Sequence, residues 1–547
     1  MTTLYNMAVS GKIGLFTLFS FGAFLGVNGC TKAGQQKLTP QKPNIIVMYS
    51  DDHTAQSIGA YREALDYGLQ LDHTPTPNID RLADGGMRFD NAFVTNSICK
   101  PSRAVMLSGL HSHLNGVPTN AGSISEELET FPSLLQNAGY QTAMIGKWHL
   151  GSEPQGFDHY EILYGQGPYY NPTMRTANGD VDYHGHTTGI ITDRALRWLR
   201  LGRDRDEPFM LIYNHKAPHR EWLPGPALDD YRGRDLPEPS SLFDDYSGLT
   251  TAASEQDMEI GDEERSMAWG RDLKVPLNPQ TGEPDPTWQG MVNRNRLTEE
   301  QLDRIVEAYA EENEELYENY GQMSEKERLQ WRYQRYAKDY LRVVREVDDE
   351  VGRLMGYLER EDLVDNTIVV YAGDQGFYMG ENGWFDKRWI YETSMRMPLI
   401  VHWPEGIEPE SVNEQLVQNL DFAPTVLDLA GAEIPDYMQG KSMKPLFQGE
   451  EPASWRDAVY YHYYASNESH NVAKHYGVRT KDRYTLVHFF DHDEWEMFDL
   501  GADPDQLTNV YGKPEYAEVQ QRLKDKIKEL QEEYEDDTWN EIGERIK

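Results

Sequence analysis

Four short apolar runs, each followed directly by polar side chains, constrain the fold of this chain more than any other feature. The runs are NIIVMYS (44–50), TAMIG (142–146), FMLIYN (209–214) and NTIVVYAG (366–373). Short apolar runs of this kind are typical of buried strands in a parallel sheet. The sequence therefore predicts an α/β fold built around at least these four strands.

The residues that follow the four runs are rich in metal ligands and acid–base groups. They are Asp51, Asp52 and His53 after the first run; Lys147, Trp148 and His149 after the second; HKAPHR (215–220) after the third; and Asp374, Gln375 and Gly376 after the fourth. In open α/β sheets, ligands bind at the edge where the carboxyl ends of the strands meet. The pattern predicts one polar site at that edge.

A long helix is predicted between the third and fourth strands. Ser324 and Glu327 have capping-box spacing. Apolar residues then recur every three or four positions from Leu329 to Leu358, which indicates one amphipathic helix. The segment before it, about 224–322, is acidic, weakly periodic and rich in Gly, Pro and Asn. We interpret this segment as a long insertion over the active edge.

The pattern changes beyond about residue 440. The runs AVYYHYY, YTLVHFF and EWEMFDL predict short aromatic strands, and a charged final helix follows from about Pro514. We expect residues 440–547 to form a small antiparallel subdomain with a terminal helix.

The N-terminus is interpreted as an export signal. Lys12 precedes an apolar run over 13–27, which is too short to span a membrane as a mature helix. The stretch Val27-Asn28-Gly29-Cys30 resembles a bacterial lipobox, in which the signal is cut before a cysteine that then carries lipid; Asn28 departs from the pattern. We expect a lipoprotein signal over 1–30 and a polar tether over 31–42, with a plain signal peptide as the alternative. This predicts an exported protein, in the periplasm or on the outer membrane of a Gram-negative bacterium, held to the membrane by lipid alone.

Charge and cysteine content narrow the possible functions. The chain has 52 basic and 91 acidic residues, a formal net charge of −39, which argues against binding nucleic acid or anionic membrane. Its two cysteines are Cys30 and Cys99. If Cys30 is lipidated, Cys99 has no disulfide partner, and an unpaired cysteine in an exported protein needs a chemical reason.

The segment around Cys99 supplies such a reason. Cys99-Lys100-Pro101-Ser102-Arg103, continuing to Leu107-Ser108-Gly109, resembles the signature of the type I sulfatases. GKWHLG, KAPH, GDQGFYMGENGWFDKRWIYE and DFAPTVLDLAG are also similar to sulfatase segments, in the family order. The resemblance implies an alkaline-phosphatase-like sandwich, with a large, mostly parallel central sheet flanked by helices over 43–439 and the smaller subdomain behind it. It also implies that a formylglycine-generating or sulfatase-maturing enzyme oxidises Cys99 to Cα-formylglycine, whose hydrate is the nucleophile.

A divalent cation is expected beside this residue. Asp51, Asp52, Asp374 and Gln375 offer hard oxygen ligands, which suit Ca²⁺ or Mg²⁺ and not Zn²⁺. The resemblance implies that the cation, usually Ca²⁺, holds the sulfate and polarises the hydroxyl of residue 99, making Cys99 a ligand in its modified form. The last family ligand is usually Asn or His, so Gln375 departs from the pattern, although it keeps a carbonyl oxygen.

The resemblance also implies catalytic roles for five residues. Arg103 and Lys147 would orient the formylglycine, and His149 would take a proton from its second hydroxyl to regenerate the aldehyde. Lys387 and His219 would contact the sulfate and protonate the leaving oxygen. Further cations are expected to make the site locally positive in an acidic chain: Lys100, Lys216, Arg220 and Arg388.

The substrate is expected to be a sulfated glycan. AKDYLRVVREVDDEVGRL and KHYGVRTKDRYTLVHF resemble bacterial polysaccharide sulfatases, above all exo-acting N-acetylglucosamine-6-O-sulfatases. Asp386 and Arg388 flank Lys387 and could bind sugar hydroxyls, and His475 could reach in from the subdomain; ion pairing and ordinary packing are the alternatives for these three residues.

Three other functions stay open: a phosphatase or phosphonate monoester hydrolase on the same fold, a sulfatase for small aryl sulfates, and an inactive glycan-binding relative. The long insertion and the tether favour a glycan over an aryl sulfate. The complete set of metal ligands and cations opposes an inactive relative.

Overall fold

A mixed β-sheet forms the centre of the structure, a computed structural model that describes residues 42–71, 75–261, 267–465 and 470–537. Within these ranges the strands, in chain order, are β1 (Asn44–Ser50), β2 (Met87–Phe89), β3 (Ala92–Phe93), β4 (Gln141–Lys147), β5 (His159–Leu163), β6 (Thr173–Thr176), β7 (Gly179–Asp182), β8 (Phe209–Asn214), β9 (Thr367–Gly373), β10 (Tyr378–Met379), β11 (Phe385–Asp386), β12 (Leu399–His402), β13 (Ser411–Asn413), β14 (Val417–Gln418), β15 (Ala458–Tyr463), β16 (His475–Thr480), β17 (Tyr484–Phe489) and β18 (Glu494–Asp499).

The helices of the same residues lie on both faces of the sheet and around its ends. They are α1 (Pro77–Asp84), α2 (Cys99–Ser108), α3 (Ser112–Asn115), α4 (Phe131–Asn137), α5 (Thr187–Leu201), α6 (Thr251–Glu255), α7 (Trp269–Leu273), α8 (Pro286–Arg294), α9 (Glu299–Asn319), α10 (Glu325–Arg360), α11 (Glu392–Met395), α12 (Phe422–Ala430), α13 (Lys444–Phe447) and α14 (Ala517–Glu533).

The four predicted strands are confirmed and lie side by side. The large sheet has the order β13-β2-β12-β9-β1-β8-β4-β5-β6-β7. Its centre, from β9 to β5, is parallel, and antiparallel pairing appears at β12, β6 and β7. Because β9, β1, β8 and β4 run in the same direction, their carboxyl ends meet at one edge, as the sequence predicts.

Both faces of the sheet are buried, as the continuous apolar runs require. On β1, Ile46 and Met48 pack into one core with α5 and α10, whereas Ile45 and Val47 pack into a second core with α2, α4 and α12. This layered arrangement confirms the predicted fold class.

The long helix is also confirmed. α10 has 36 residues and begins with the predicted capping box, in which Ser324 and Glu327 each accept from the other's backbone N–H. The weak periodicity assigned to 224–322 was wrong for its last part, because α9 is a 21-residue helix with its own capping box at Thr298 and Gln301. Its buried positions, Ile305, Tyr309, Asn313 and Leu316, have helical spacing, but the acidic residues between them obscure the stripe.

The C-terminal part is an antiparallel sheet of four strands, β15 to β18 in sequence order, with α14 packed against it. The three aromatic strands and the terminal helix are confirmed. The remaining strand, β16, was missed because it contains Gly477 and Arg479 and lacks a continuous apolar run. The predicted signal, the tether up to residue 41 and Cys30 lie outside the described residues. Among the described helices, none is both long and apolar enough to cross a membrane.

Candidate active site

Three carboxylates converge where β1 and β9 end. Asp51 and Asp52 follow β1, Asp374 follows β9, and all three are fully buried. The Asp52 backbone N–H donates to Asp374 Oδ1 at 2.9 Å, and the Asp374 N–H donates to the Ser50 carbonyl at 3.0 Å. One oxygen from each carboxylate lies within 4.8 Å of the others. The predicted convergence of acidic strand ends is therefore present.

Cys99 is the first residue of α2 and lies beside this cluster. Its Sγ is 3.8 Å from Asp52 Oδ1 and 3.8 Å from Gln375 Nε2. The side chain is buried and free of any disulfide. Burial, with the nearby Asp51 carboxylate, raises the pKa of the Cys99 thiol well above its usual value. The unmodified thiol is consequently protonated, and it is the thiolate that is nucleophilic.

Arg103 lies one helical turn after Cys99 and binds the third carboxylate. Its Nε and Nη2 donate to Asp374 Oδ2 at 3.0 and 2.9 Å, and its Nη1 donates to the Lys147 carbonyl at 3.0 Å. Arg103 is only 1% exposed, so its guanidinium group interacts with these protein groups and not with bulk solvent.

Two lysines complete the cationic half of the cluster. Lys147 Nζ contacts Asp51 Oδ2 and Gln166 Oε1, and Lys387 Nζ donates to both oxygens of Asp52 at 2.6 Å. Although burial opposes it, the carboxylates of Asp386 and Asp52 hold the pKa of Lys387 well above its usual range. Three carboxylates and three cations thus cancel in formal charge.

Two of the three carboxylates are nevertheless destabilised in their charged form. Burial and the neighbouring Asp51 raise the pKa of Asp374 to about 8, and burial raises that of Asp52 to about 6 despite Lys387. Against its own burial, the Lys147 ammonium holds the pKa of Asp51 well below its usual value. A further positive charge among them would relieve this repulsion.

The oxygen atoms fit a hard divalent cation. Asp51 Oδ1 and Gln375 Oε1 are buried and accept no hydrogen bond from the described residues. Gln375 also donates from Nε2 to Asp52 Oδ1, so its side chain reaches the carboxylates as the sequence predicts. Buried, unpartnered carboxylate and amide oxygens are the donor set that Ca²⁺ and Mg²⁺ prefer.

Two histidines lie at the strand ends, both held neutral by burial. His219 Nδ1 donates to the Arg220 carbonyl at 2.6 Å, which leaves Nε2 facing the cluster, 3.9 Å from Asp52 Oδ2. Burial lowers the pKa of His219 well below its usual value. His149 has a positive φ of 58°, and its buried Nδ1 has no partner among the described residues. Burial, then Lys147, lowers the pKa of His149 to about 2.

A polar cavity of about 330 Å³ opens over this cluster. It is lined by Cys99, Asn120, Gln166, His219, Arg220, Arg271, Asp386, Lys387, Arg388 and His470. Four of these residues are Arg or Lys and one is acidic, so the mouth of the site is locally positive in a chain of net charge −39. Of the other expected cations, Lys100 donates from Nζ to the Gly122 carbonyl and Lys216 lies over the Tyr169 ring, and neither lines the cavity.

The expectation that His475 reaches the substrate is not supported by its position. The residue is fully buried; Nδ1 is 2.8 Å from the Ala473 carbonyl and Nε2 accepts from the Ile390 N–H at 3.1 Å. Ordinary packing, the alternative, describes it. His470, five residues earlier, lines the cavity instead, and its Nε2 is 3.0 Å from Asp386 Oδ2.

The two residues that flank Lys387 do line the cavity. Asp386 and Arg388 have positive φ values of 78° and 98°, a strained conformation that costs of order 1–3 kcal/mol each and is concentrated at functional sites. Arg388 Nη1 lies 3.3 Å from the Tyr463 hydroxyl, and its Nε is 3.5 Å from Asp386 Oδ1.

Sequence reasoning missed four lining residues: Asn120, Gln166, Arg271 and His470. Gln166 had a local signal, because the glycines on either side of it adopt positive φ and Gly-x-Gly is typical of a tight loop. Arg271 comes from α7, within the segment interpreted as an insertion, and no local pattern distinguishes it.

Comparison with known proteins identifies the chemistry of this site. The family model described as "Sulfatase" matches residues 43–432. The chain belongs to the sulfatase family. A second model, the C-terminal region of N-sulphoglucosamine sulphohydrolase, matches residues 380–533. This sulfatase is therefore a sulfuric ester hydrolase, and the resemblance stated from its motifs is confirmed; formylglycine and a divalent metal are general features of the family.

Individual relatives cover most of the chain. The N-acetylglucosamine-6-O-sulfatase of Bacteroides thetaiotaomicron is 45% identical, covering 94% of this chain and 90% of that protein. A solved structure, described as a complex with its substrate D-glucosamine-2-N,6-O-disulfate, is 44% identical with a TM-score of 0.84, covering 91% of this chain and 99% of that one. An arylsulfatase of Clostridium perfringens is 26% identical, covering 90% of this chain and 95% of that protein.

Proposed function

We propose that this sulfatase removes the 6-O-sulfate from a terminal glucosamine of a sulfated glycan. The observation that carries the proposal is the single cavity wall formed by Asp386, Lys387 and Arg388, in a chain 45% identical to an N-acetylglucosamine-6-O-sulfatase. Lys387 would bind the sulfate while its two neighbours bind sugar hydroxyls. A cavity of about 330 Å³ is suited to one sulfated monosaccharide and supports exo action.

Residue 99 is proposed to act as formylglycine. The support is that Cys99 is buried beside carboxylates that keep its thiol protonated, so the unmodified residue would be a poor nucleophile. The hydrated aldehyde supplies an oxygen nucleophile instead. A formylglycine-generating or sulfatase-maturing enzyme would produce it from Cys99.

The metal is proposed to be Ca²⁺, with Mg²⁺ as the alternative, held by Asp51, Asp52, Asp374, Gln375 and the oxygen of residue 99. When bound, the cation would add positive charge among the carboxylates and polarise the sulfate and the hydroxyl of residue 99. The three cations and three carboxylates cancel without it. A divalent cation would therefore leave the pocket with an excess positive charge, which favours binding of a sulfate ester anion and of the charge that develops in the transition state.

The protein's own groups then have distinct tasks. Arg103 and Lys147 would fix the orientation of residue 99, since both are buried and bonded to the carboxylates around it. His219 would protonate the leaving oxygen through Nε2, because its Nδ1 proton is committed to the Arg220 carbonyl. His219 is neutral in the free protein, so the negative charge of the bound ester has to stabilise its imidazolium form. His149, also neutral, would accept the proton that regenerates the aldehyde.

Sugar recognition is proposed for Asp386, Arg388 and His470. Asp386 Oδ2 and His470 Nε2 are in contact at 3.0 Å, so one hydroxyl could bind both groups. We assign to His470 the sugar-binding role that the sequence predicts for His475. His475 is the first residue of β16, and His470 lies five residues before it. Of the two, only His470 lines the cavity.

Export and domain organisation complete the proposal. Residues 1–30 would be a lipoprotein signal, 31–42 a tether, 43–439 the catalytic domain with its insertion over 224–322, and 440–547 the C-terminal subdomain. The protein would then act on glycans in the periplasm or at the outer membrane, anchored by lipid at Cys30.

The test is turnover of a panel of defined sulfated monosaccharides. We expect hydrolysis of N-acetylglucosamine-6-O-sulfate, and a lower rate on N-acetylgalactosamine-6-O-sulfate, which differs only in the configuration of the hydroxyl at C4. Asp386→Ala should reduce that preference. A preparation that hydrolyses nitrophenyl sulfate but no sulfated sugar would indicate an arylsulfatase, and one that prefers nitrophenyl phosphate would indicate a phosphatase; either result would overturn the proposal.

A further inference from the structure

A row of polar and charged side chains in contact with one another lines part of the cavity, beginning at the proposed sulfate position. It starts at Lys387, whose Nζ is 3.7 Å from Asp386 Oδ1. Asp386 Oδ2 is 3.0 Å from His470 Nε2, which is 3.3 Å from Arg220 Nη1. Each contact joins the next side chain of the row.

The row ends in two guanidinium groups that share one carboxylate. Arg220 donates from Nε and Nη2 to Asp272 at 2.8 and 2.7 Å. Arg271 donates to the same carboxylate from Nε at 3.2 Å and from Nη2 at 3.1 Å. Asp272 is fully buried, and against that burial the two arginines hold its pKa below its usual range. The two guanidinium groups thus share the Asp272 carboxylate.

Arg271 is the member of this pair with a further N–H to offer. Arg220 uses its third nitrogen on His470. Among the described residues, Nη1 of Arg271 has no hydrogen-bond partner, and its side chain is 28% exposed and lines the cavity. A cation with a free N–H in the lining of a sugar-sized cavity is suited to a second anionic group on the same sugar.

The chemistry of the sugar indicates which group this is. In a glucosamine ring, C2 lies opposite C5, the atom that carries C6. When the 6-O-sulfate lies at Lys387, the substituent on C2 is therefore directed away from Lys387. Arg271 lines the same cavity and stands at the other end of this row of contacts. We propose that Arg271 contacts the C2 substituent and that its positive charge favours an N-sulfate over an N-acetyl group at this position. This inference rests on the proposed function and adds a specificity residue to it.

Three substrates that differ only at C2 test the inference. Glucosamine-2-N,6-O-disulfate, N-acetylglucosamine-6-O-sulfate and glucosamine-6-O-sulfate place a negative, a neutral and a positive group there. We expect kcat/KM to fall in that order for the unchanged protein. Arg271→Gln should reduce the ratio of kcat/KM for the N-sulfated over the N-acetylated substrate about ten-fold or more, the usual effect of a charged hydrogen bond. It should also bring kcat/KM for the substrate with the free amine closer to that for the N-acetylated substrate.

Matched variants separate charge reading from a structural role. Arg271→Lys keeps the charge and should keep the order of the three substrates. Arg294→Gln is the control. Arg294 is another arginine of the 224–322 segment, more exposed than Arg271; it pairs with one carboxylate, Glu221, and does not line the cavity. The substrate ratios of this variant should equal those of the unchanged protein.

The outcomes are distinct. An equal loss on all three substrates in Arg271→Gln would mean that Arg271 only supports Asp272, and unchanged ratios would mean that it does not contact the C2 substituent; both results overturn the inference while leaving the proposed function intact. If the unchanged protein hydrolyses nitrophenyl sulfate but none of the three sugars, the proposed function fails, and the inference fails with it.

Discussion

His219→Ala should abolish most activity on a sulfated sugar and much less on an activated aryl sulfate. The structure leaves His219 one transferable proton position, because Nδ1 donates to the Arg220 carbonyl at 2.6 Å and Nε2 faces the cluster. Nε2 is 3.9 Å from Asp52 Oδ2, and one ring nitrogen of His219 lies within 4.8 Å of Cys99 Sγ and an Asp51 oxygen. The histidine is thus placed to protonate an oxygen that leaves a group bound at residue 99.

The magnitude follows from that role. A positioned general acid contributes about 10²–10⁴-fold, equal to about 3–5 kcal/mol of transition-state free energy. The structural cost of the substitution is smaller, since it removes one hydrogen bond to the Arg220 carbonyl, worth about 1 kcal/mol. A sugar alkoxide is a poor leaving group and needs the proton, whereas nitrophenolate barely does. The loss should therefore approach the full factor on N-acetylglucosamine-6-O-sulfate and be far smaller on nitrophenyl sulfate.

The assay is kcat/KM for both substrates on one preparation of each variant. His215→Ala is the matched control: His215 is also buried, four residues earlier, but its Nε2 contacts the Tyr213 hydroxyl at 2.7 Å and it does not line the cavity. The control should change the ratio of the two substrates little. Equal losses on both substrates in His219→Ala would refute the assignment and leave His219 as a sulfate-binding residue.

Three further predictions concern the base, the metal and stability. His149→Ala should slow both substrates alike, with a burst of nitrophenol followed by slow turnover; a selective loss on the sugar would contradict its role as the base. Chelation should abolish activity and lower the melting temperature, with Ca²⁺ or Mg²⁺ restoring both, and Gln375→Asn should change metal affinity in a titration; full activity with no metal detected would exclude the metal site. Glu392→Gln should cost about 3–5 kcal/mol at neutral pH, because Arg396 and Arg479 both bind this buried carboxylate. Against burial, Arg396 and Arg479 hold the pKa of Glu392 at about 2, below its usual 4.5, so its contribution is present above pH 4.5 and is lost as pH falls toward 2. The melting temperatures of the two proteins should converge over that range, and a constant gap would contradict the pairing.

The sequence was sufficient wherever a local pattern decides the structure. Apolar runs fix the four central strands, and because parallel strands end at one edge, the meeting of Asp51, Asp52 and Asp374 could be expected without knowing the order of the strands. The capping box at Ser324 marked the start of α10 for a similarly local reason.

The rest depends on contacts between distant segments. His470 and His475 are close in sequence and of the same residue type, and only the packing of His475 onto Trp389 in the C-terminal core shows which one faces the cavity. Arg271 lines the site because α7 is held against Arg220 through Asp272, a contact across 52 residues of sequence. No periodicity or motif carries that information.

The chemical state of residue 99 in an active preparation tests the central claim most directly. The protein should be made in a host with a maturing enzyme, and the tryptic peptide that contains Cys99 should be weighed while activity is measured on the same sample. We predict that the mass of this peptide is lower than that of the thiol form by the difference between a thiol and an aldehyde, and that activity is proportional to the converted fraction. Cys99→Ala should be folded, since Cys99 has no disulfide, but inactive. An active preparation that contains only the free thiol at residue 99 would contradict the account.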